Sequence, residues 1–174
     1  MNSEEILKWK EAGKLARNAL NFGKTLIQDG ASMLNVAESI ENFVIEKNGE
    51  LAFPTNLAVN SVGAHWTPST KSKEVFHDGD VVKLDVGVHI EGYIGDNALT
   101  IEIGSDEYSK MIEASREALN TAIEVASPGV NDSGPGSFFP GCWMNCGADS
   151  GREQHVDDWK VHSGPVSPLS PFLV

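Results

Sequence analysis

The stretch from Lys83 to Thr100 most constrains what this chain can fold into. From Val82 to Ile90, apolar residues alternate with polar residues or glycine, which is the period of a strand with one buried face. A second strand is predicted after Gly92, which can supply the positive φ that a tight turn often needs. The pattern therefore predicts two antiparallel strands joined at Glu91-Gly92.

The register of this hairpin brings two acidic residues together. With a two-residue loop, Asp85 lies opposite Ala98. Gly87 then lies opposite Asp96, so Asp85 and Asp96 are diagonal neighbours on one face. Such neighbours are roughly 7–8 Å apart at the backbone. Since Gly87 and Ala98 are small, we expect the patch between the acids to be nearly free of side-chain bulk.

Two carboxylates on a partly buried sheet repel each other and lose hydration. They need hydrogen-bond donors, a shared proton or a cation. A pair of metal ions bound by oxygen ligands is the simplest arrangement that satisfies both groups. In the alternative interpretation, one aspartate caps a turn and the other is solvated, because an isolated D-x10-D spacing is a weak motif.

Length and charge limit the classes of function. With 174 residues, the chain can form one domain with a hydrophobic core. Its net charge of −12 argues against nucleic-acid binding, which needs clustered Lys and Arg. No apolar run approaches the ~20 residues of a membrane span, and residues 1–5 do not resemble a signal peptide, so we expect a cytoplasmic protein without membrane contact. The C-x3-C pair of Cys142 and Cys146 is weak evidence for zinc and is interpreted as incidental.

Helical periodicity flanks the hairpin on both sides. A first helix is predicted to be capped by Ser3, and a second to carry a capping box formed by Asn35 and Glu38. An extended segment follows, and a third helix is predicted to begin near Ser105, after the hairpin. The order of helix, helix, strand, hairpin and helix predicts the α+β class, with an antiparallel or mixed sheet covered by helices.

The composition changes after Ser127. Six of the eight prolines and both cysteines fall in residues 128–174, where no helical or strand period is sustained. Residues 1–127 are therefore expected to form the folded domain, and residues 128–174 an irregular tail that is disordered or mistranslated.

Four segments of the chain resemble the methionine aminopeptidases, specifically the type II branch of archaea and eukaryotes. They are Ala52–Asn56, Ala64–Pro68, Gly79–His89 and Gly95–Ala98. The resemblance covers roughly residues 1–130 and implies the pita-bread fold, in which two pseudo-symmetric halves surround an antiparallel sheet. By this resemblance, residues 1–127 are the N-terminal half of the metalloaminopeptidase domain.

The resemblance also implies roles for individual residues. Asp85 matches the first aspartate ligand and Asp96 the aspartate that bridges two divalent metal ions, for which Co, Mn, Fe or Zn would be suitable. His65 matches a catalytic histidine that contacts the scissile peptide, and Phe53 matches a wall of the methionine pocket. His162 matches a second histidine that contacts the substrate.

The implied activity is removal of the N-terminal methionine from nascent proteins by a hydroxide that the metal ions activate. The implied partners are nascent polypeptides that begin with Met, and the complete enzyme is expected to be a monomer.

The later part of the chain departs from the family pattern, in which that half supplies one histidine and two glutamate ligands. Glu153 is the last glutamate, and Gln154 stands where the family has its histidine ligand, with His155 one position away. The likeness stops near Val130, returns over Val156–Gly164 and stops again. Reading-frame slips in the coding DNA would produce this pattern. We therefore expect the chain as written to bind metal weakly and to lack appreciable activity.

Two other functions remain open from the sequence. One is a catalytically inactive relative that uses the sheet and pocket as a binding module, although the joint presence of Asp85, Asp96 and His65 argues against it. The other is a related metallopeptidase that cleaves Xaa-Pro bonds. The Ala64–Pro68 segment favours methionine removal over this second alternative.

Overall fold

The computed structural model describes residues 2–126 of the chain. These residues form two compact units, one ending at Tyr108 and the other beginning at Ser109. The elements, in chain order, are α1 (Ser3–Leu26), α2 (Met33–Glu46), β1 (Glu50–Leu51), β2 (Asn56–Val59), β3 (Val81–Ile90), β4 (Tyr93–Glu102) and α3 (Ser109–Val125). The predicted order of elements is confirmed, except that the extended segment before the hairpin forms two short strands. The last helix, α3, belongs to the second unit and is amphipathic in sequence.

The sheet is antiparallel throughout, with β3 at its centre. Along one edge of β3 lies β4, which pairs with its whole length. Along the other edge, β1 pairs with the end of β3 and β2 with its first half, from Val59↔Val82 to Asn56↔Asp85. The segment 50–59 is therefore brought alongside the acidic strand.

The predicted hairpin register is confirmed. Ile90 pairs with Tyr93 and Gly87 with Asp96, so the loop is Glu91-Gly92. Both loop residues have positive φ, 51° at Glu91 and 86° at Gly92. Positive φ at both central residues is the conformation whose twist matches that of the flanking strands.

One face of the sheet packs against α1 and α2. The apolar residues of β3 that alternate toward this face, Val82, Leu84, Val86 and Val88, are at most 1% exposed. They join a core with apolar residues from both helices and from the loop before β3, including Ala16, Leu20, Ile40, Val44 and Phe76. Because neighbouring strand residues point to opposite faces, the residues between these valines and leucines lie on the other face.

The predicted starts of all three helices were wrong by a few residues. The cap of α1 is Asn2 rather than Ser3, because Asn2 Oδ1 accepts from the Glu5 backbone N–H at 2.8 Å and Glu5 completes a capping box. In α2 the cap is Ser32, whose Oγ accepts from the Asn35 backbone N–H at 3.4 Å. The capping box predicted from Asn35 and Glu38 is therefore not the cap of this helix.

The third helix begins four residues later than predicted. Ser105 Oγ accepts from the backbone N–H of Glu107 at 3.2 Å, which stabilises a turn. The Glu102 carboxylate accepts from the backbone N–H of Tyr108 at 3.0 Å. These bonds hold residues 105–108 in a non-helical connection, and α3 starts at Ser109.

Predictions about the irregular tail, the cysteine pair and His162 concern residues outside the described range. Within residues 2–126, none of the helices combines the length and apolar character needed to cross a membrane.

Candidate functional site

The two acids predicted to lie together do so. On the sheet face opposite the core, Asp85 is half-buried and Asp96 is exposed. The confirmed register makes them diagonal neighbours, and their carboxyl groups are close enough to share a hydrogen bond. Two carboxylates can make this contact only if one of them carries a proton.

The environment raises the pKa of Asp96 above its ordinary value. Loss of hydration is the largest cause, followed by the negative charge of Asp85 and then by the hydrogen bond between the two side chains. All three causes disfavour a second negative charge on the pair. Asp96 therefore holds its proton to higher pH than an isolated aspartate would.

The ring of Phe53 fills the space beside the acids. A Cβ placed on Gly87 would come within 2.6 Å of Phe53 Cδ1 and Cζ, so the ring lies directly over this glycine. Gly87 pairs with Asp96, and paired residues in an antiparallel sheet share a face. The expectation of a patch nearly free of side-chain bulk was therefore wrong at Gly87. The absence of a side chain there makes room for an aromatic ring.

Two residues without a predicted role, Asn56 and Thr67, lie beside Asp85. The amide Nδ2 of Asn56 donates to Asp85 Oδ2 at 3.4 Å, from the paired position on β2. The hydroxyl of Thr67 donates to Asn56 Oδ1 at 2.9 Å and is 3.2 Å from the backbone oxygen of Thr55. Both residues belong to segments that resemble the methionine aminopeptidases. Their connection to Asp85 depends on the pairing of β2 with β3, which the sequence did not predict.

His65 lies in the loop between β2 and β3. Its side chain is exposed, and its φ of 59° places the backbone in the left-handed region, which is uncommon outside glycine and asparagine. The following residues anchor the loop, since the backbone oxygen of Trp66 accepts from the Leu57 backbone N–H at 2.8 Å. Within residues 2–126, no hydrogen bond joins His65 to Asp85 or Asp96.

The structure thus brings together three of the five predicted site residues, Phe53, Asp85 and Asp96. It places His65 on a loop that is anchored to β2, and His162 lies outside the described range.

The donor chemistry of the acid pair fits a divalent cation. Carboxylate oxygens are ligands for Mn, Fe, Co and Zn, and a cation between Asp85 and Asp96 would remove the repulsion that raises the pKa of Asp96. Among residues 2–126, no group of three or more His, Cys, Asp and Glu side chains is placed to hold a metal ion. The described part of the chain therefore provides two ligands, and four or more are usual for such ions.

Comparison with known proteins identifies the family of the chain. The model of metallopeptidase family M24 matches residues 8–133. The methionine aminopeptidase of Archaeoglobus fulgidus is 42% identical over 147 residues, which are 84% of this chain and 50% of that protein. The methionine aminopeptidase of Pyrococcus horikoshii is 44% identical over 126 residues, 72% of this chain and 42% of that protein. The chain spans about half the length of these curated relatives.

Solved structures show the same fold. The methionine aminopeptidase of Thermotoga maritima superposes with a TM-score of 0.69 at 31% identity, over 75% of this chain and 55% of that one. A prolidase from Pyrococcus horikoshii superposes with a TM-score of 0.64 at 28% identity, over 74% of this chain and 38% of that one. Helices packed on an antiparallel sheet form part of the pita-bread fold here, as the resemblance implied. The chain is a partial homologue of the archaeal-type methionine aminopeptidases and belongs to metallopeptidase family M24.

Proposed function

We propose that this chain carries the N-terminal half of the active site of a methionine aminopeptidase, a metal-dependent hydrolase that removes Met from the N-termini of nascent proteins. The observation that supports this most directly is the position of Asp85 and Asp96 as diagonal neighbours on the hairpin face away from α1 and α2, where the charge of Asp85 contributes to the raised pKa of Asp96. A pair of mutually repelling carboxylates destabilises the fold unless it binds something. Together with 42–44% identity to methionine aminopeptidases, the pair favours a cation as the bound group.

In this proposal, Asp85 and Asp96 would be the ligands that this half contributes. When bound, divalent ions would polarise a peptide carbonyl and lower the pKa of water. Phe53, held over Gly87, would present its ring to the methionine side chain of the substrate. His65 would donate a hydrogen bond to the peptide from its exposed loop, and His162 would contact the substrate from the later part of the chain.

We expect the purified chain alone to show this activity only weakly. Two carboxylates hold a cation weakly, because the remaining coordination positions are left to water. We therefore expect the purified chain to bind Mn²⁺ weakly and to release little methionine from a peptide such as Met-Ala-Ser.

The test compares Mn²⁺ binding by the full chain with binding by the D85N/D96N double variant. A D106N variant is a matched control, since Asp106 is an exposed acid outside the hairpin. Binding should be lost in the double variant and kept in the control. Binding that is unchanged in D85N/D96N would overturn the assignment of these ligands, and two tightly bound ions with rapid methionine release would contradict the expected weakness of the chain alone.

One observation favours an alternative function. Since residues 2–126 hold no group of three or more candidate ligands, the chain could be an inactive relative that binds peptide through Phe53 and its surroundings. Affinity for a Met-Ala-Ser peptide in the presence of EDTA, unchanged by D85N/D96N, would support this alternative. The structural match to prolidase raises Xaa-Pro cleavage as a second alternative, which a comparison of Met-Ala-Ser with Ala-Pro substrates would distinguish.

A further inference from the structure

A line of three polar side chains leads from the loop of His65 to the acid pair. Thr67 Oγ1 donates to Asn56 Oδ1 at 2.9 Å, and Asn56 Nδ2 donates to Asp85 Oδ2 at 3.4 Å. Asn56 is 9% exposed, at the start of a strand whose next residues are fully enclosed. A buried amide is retained in a sheet when its hydrogen bonds are satisfied, and here both of its ends have partners.

The direction of this line follows from the chemistry of its members. An ionised carboxylate only accepts hydrogen bonds, so the Asn56 group facing Asp85 must be its NH₂. Its carbonyl oxygen then faces Thr67 and requires a donor, which the hydroxyl provides. Reversing the Asn56 amide would place oxygen against oxygen at Asp85 and lose that contact, so the orientation is set at the carboxylate.

The same hydroxyl also connects the loop to the sheet. Thr67 lies two residues after His65, and its Oγ1 is 3.2 Å from the backbone oxygen of Thr55, the residue before Asn56. The loop backbone is bonded to β2 as well, through the oxygen of Trp66. The position of the His65 loop and the orientation of Asp85 therefore depend on a shared set of contacts.

We propose that Asn56 and Thr67 are positioning residues that hold the Asp85 carboxylate in one orientation, with one oxygen bonded to Asn56 and the other directed toward the cation site beside Asp96. The orientation of Asp85 is a property of the metal-free fold, and its consequence for cation binding rests on the proposed function. Outer partners of this kind commonly change metal affinity by about 10–100-fold.

A second asparagine–aspartate contact of the same kind lies away from Asp85 and Asp96. Asn60 Nδ2 donates to Asp80 Oδ1 at 2.8 Å, and Asn60 Oδ1 accepts from the Val81 backbone N–H at 2.9 Å. Asn60 has a φ of 52°, so N60G removes this side chain without straining the backbone. The N60G variant tests whether loss of any asparagine–aspartate contact near β2 produces the same effects.

The first experiment measures the χ1 angle of Asp85 by NMR in the metal-free full chain, using three-bond couplings to its carboxyl carbon. We expect a single rotamer in the wild type, averaged couplings in N56A and partial averaging in T67V, which removes only a hydroxyl from an exposed residue. T67S should restore the wild-type couplings because it keeps the donor. N60G should lower the thermal midpoint and leave the Asp85 couplings unchanged. Wild-type couplings in both N56A and T67V would overturn the proposal.

The second experiment titrates the same proteins with Mn²⁺ and follows water proton relaxation. The dissociation constant should rise about tenfold or more in N56A and at least about twofold in T67V, while T67S and N60G should match the wild type. Wild-type affinity in N56A and T67V would overturn the consequence for cation binding. If the wild type binds no Mn²⁺ and the Asp85 couplings still average in N56A, the positioning role stands and the proposed metal site fails.

Discussion

The contact between α1 and β4 allows one substitution to be worked out in detail. A Cβ placed on Gly95 would come within 2.5 Å of the backbone carbon of Ala12 and the Cα of Gly13. Both are backbone atoms of α1, so no side chain can rotate away to relieve the overlap. Asn97 adds a hydrogen bond in the same region, from its Nδ2 to the backbone oxygen of Gly13 at 3.3 Å. This close approach fixes where β4 lies under the helix.

The expected destabilisation follows from these distances. For Gly95→Ala, the helix would have to move about 0.9 Å, the difference between 2.5 Å and the 3.4 Å at which ordinary contact begins. Overpacking of a core costs about 1–3 kcal/mol, and a clash with backbone belongs at the upper end, so we expect about 2–3 kcal/mol. With a urea m-value of about 2–3 kcal/mol/M, the unfolding midpoint should fall by about 1 M.

Gly13, the glycine of α1 that faces Gly95, provides the control. A Cβ on Gly13 would meet nothing within 4 Å, and Gly13 is in the interior of α1. Gly13→Ala should therefore stabilise the protein by about 0.5–1 kcal/mol through helix propensity. Urea unfolding of both variants, followed by circular dichroism, measures the two effects. A Gly95→Ala variant within 0.5 kcal/mol of the wild type, or one that is no worse than Gly13→Ala, would refute the proposed packing.

Three further predictions concern the acid face. In metal-free protein, D96N should be more stable than the wild type at pH 7, because the fold raises the pKa of Asp96 and so penalises its ionised form. This advantage should disappear as the pH falls below 3.8, the ordinary pKa, because the folded and unfolded states then both hold the proton. A stability difference between D96N and the wild type that is independent of pH in urea unfolding would contradict this cause. G87A should displace the ring of Phe53 and destabilise the protein by about 1 kcal/mol, and unchanged ring resonances in NMR spectra would contradict the overlap. Millimolar Mn²⁺ should raise the thermal midpoint of the wild type, and EDTA should reverse the rise. A similar rise in D85N/D96N would exclude the acid pair as the Mn²⁺ site.

The acid pair could be predicted from the sequence because it depends on local rules alone. Alternation from Val82 to Ile90 determines which residues share a face, and a two-residue loop leaves one register. The Asp85–Asp96 contact follows from these two features without knowledge of the rest of the fold. The predicted helix ends were less accurate. Asn2 and Ser3 are both good capping residues, and only the backbone geometry selects between them.

The surroundings of the pair could not be predicted, because they come from distant segments. Phe53 reaches Gly87 and Asn56 reaches Asp85 only when residues 50–59 lie along the other edge of β3. That pairing crosses a loop of more than 20 residues, and nothing in the short apolar stretch of β2 sets its register in advance. The family resemblance implies a pocket-wall role for Phe53, but the packing reason for a glycine at position 87 appears only in the structure.

The acid pair and the residues around it lie close together in the described part of the chain. The hairpin places two carboxylates in contact, and Asn56 and Phe53 surround them, all within residues 2–108. The repulsion within the pair therefore arises entirely within the described part of the chain. In the proposed site, a cation would have to displace the proton of Asp96, since carboxylates coordinate in their ionised form. The raised pKa of Asp96 would therefore oppose cation binding at low pH, and loss of the proton would permit binding as the pH rises. The same repulsion that destabilises the metal-free sheet would then set the pH above which the proposed site can be filled.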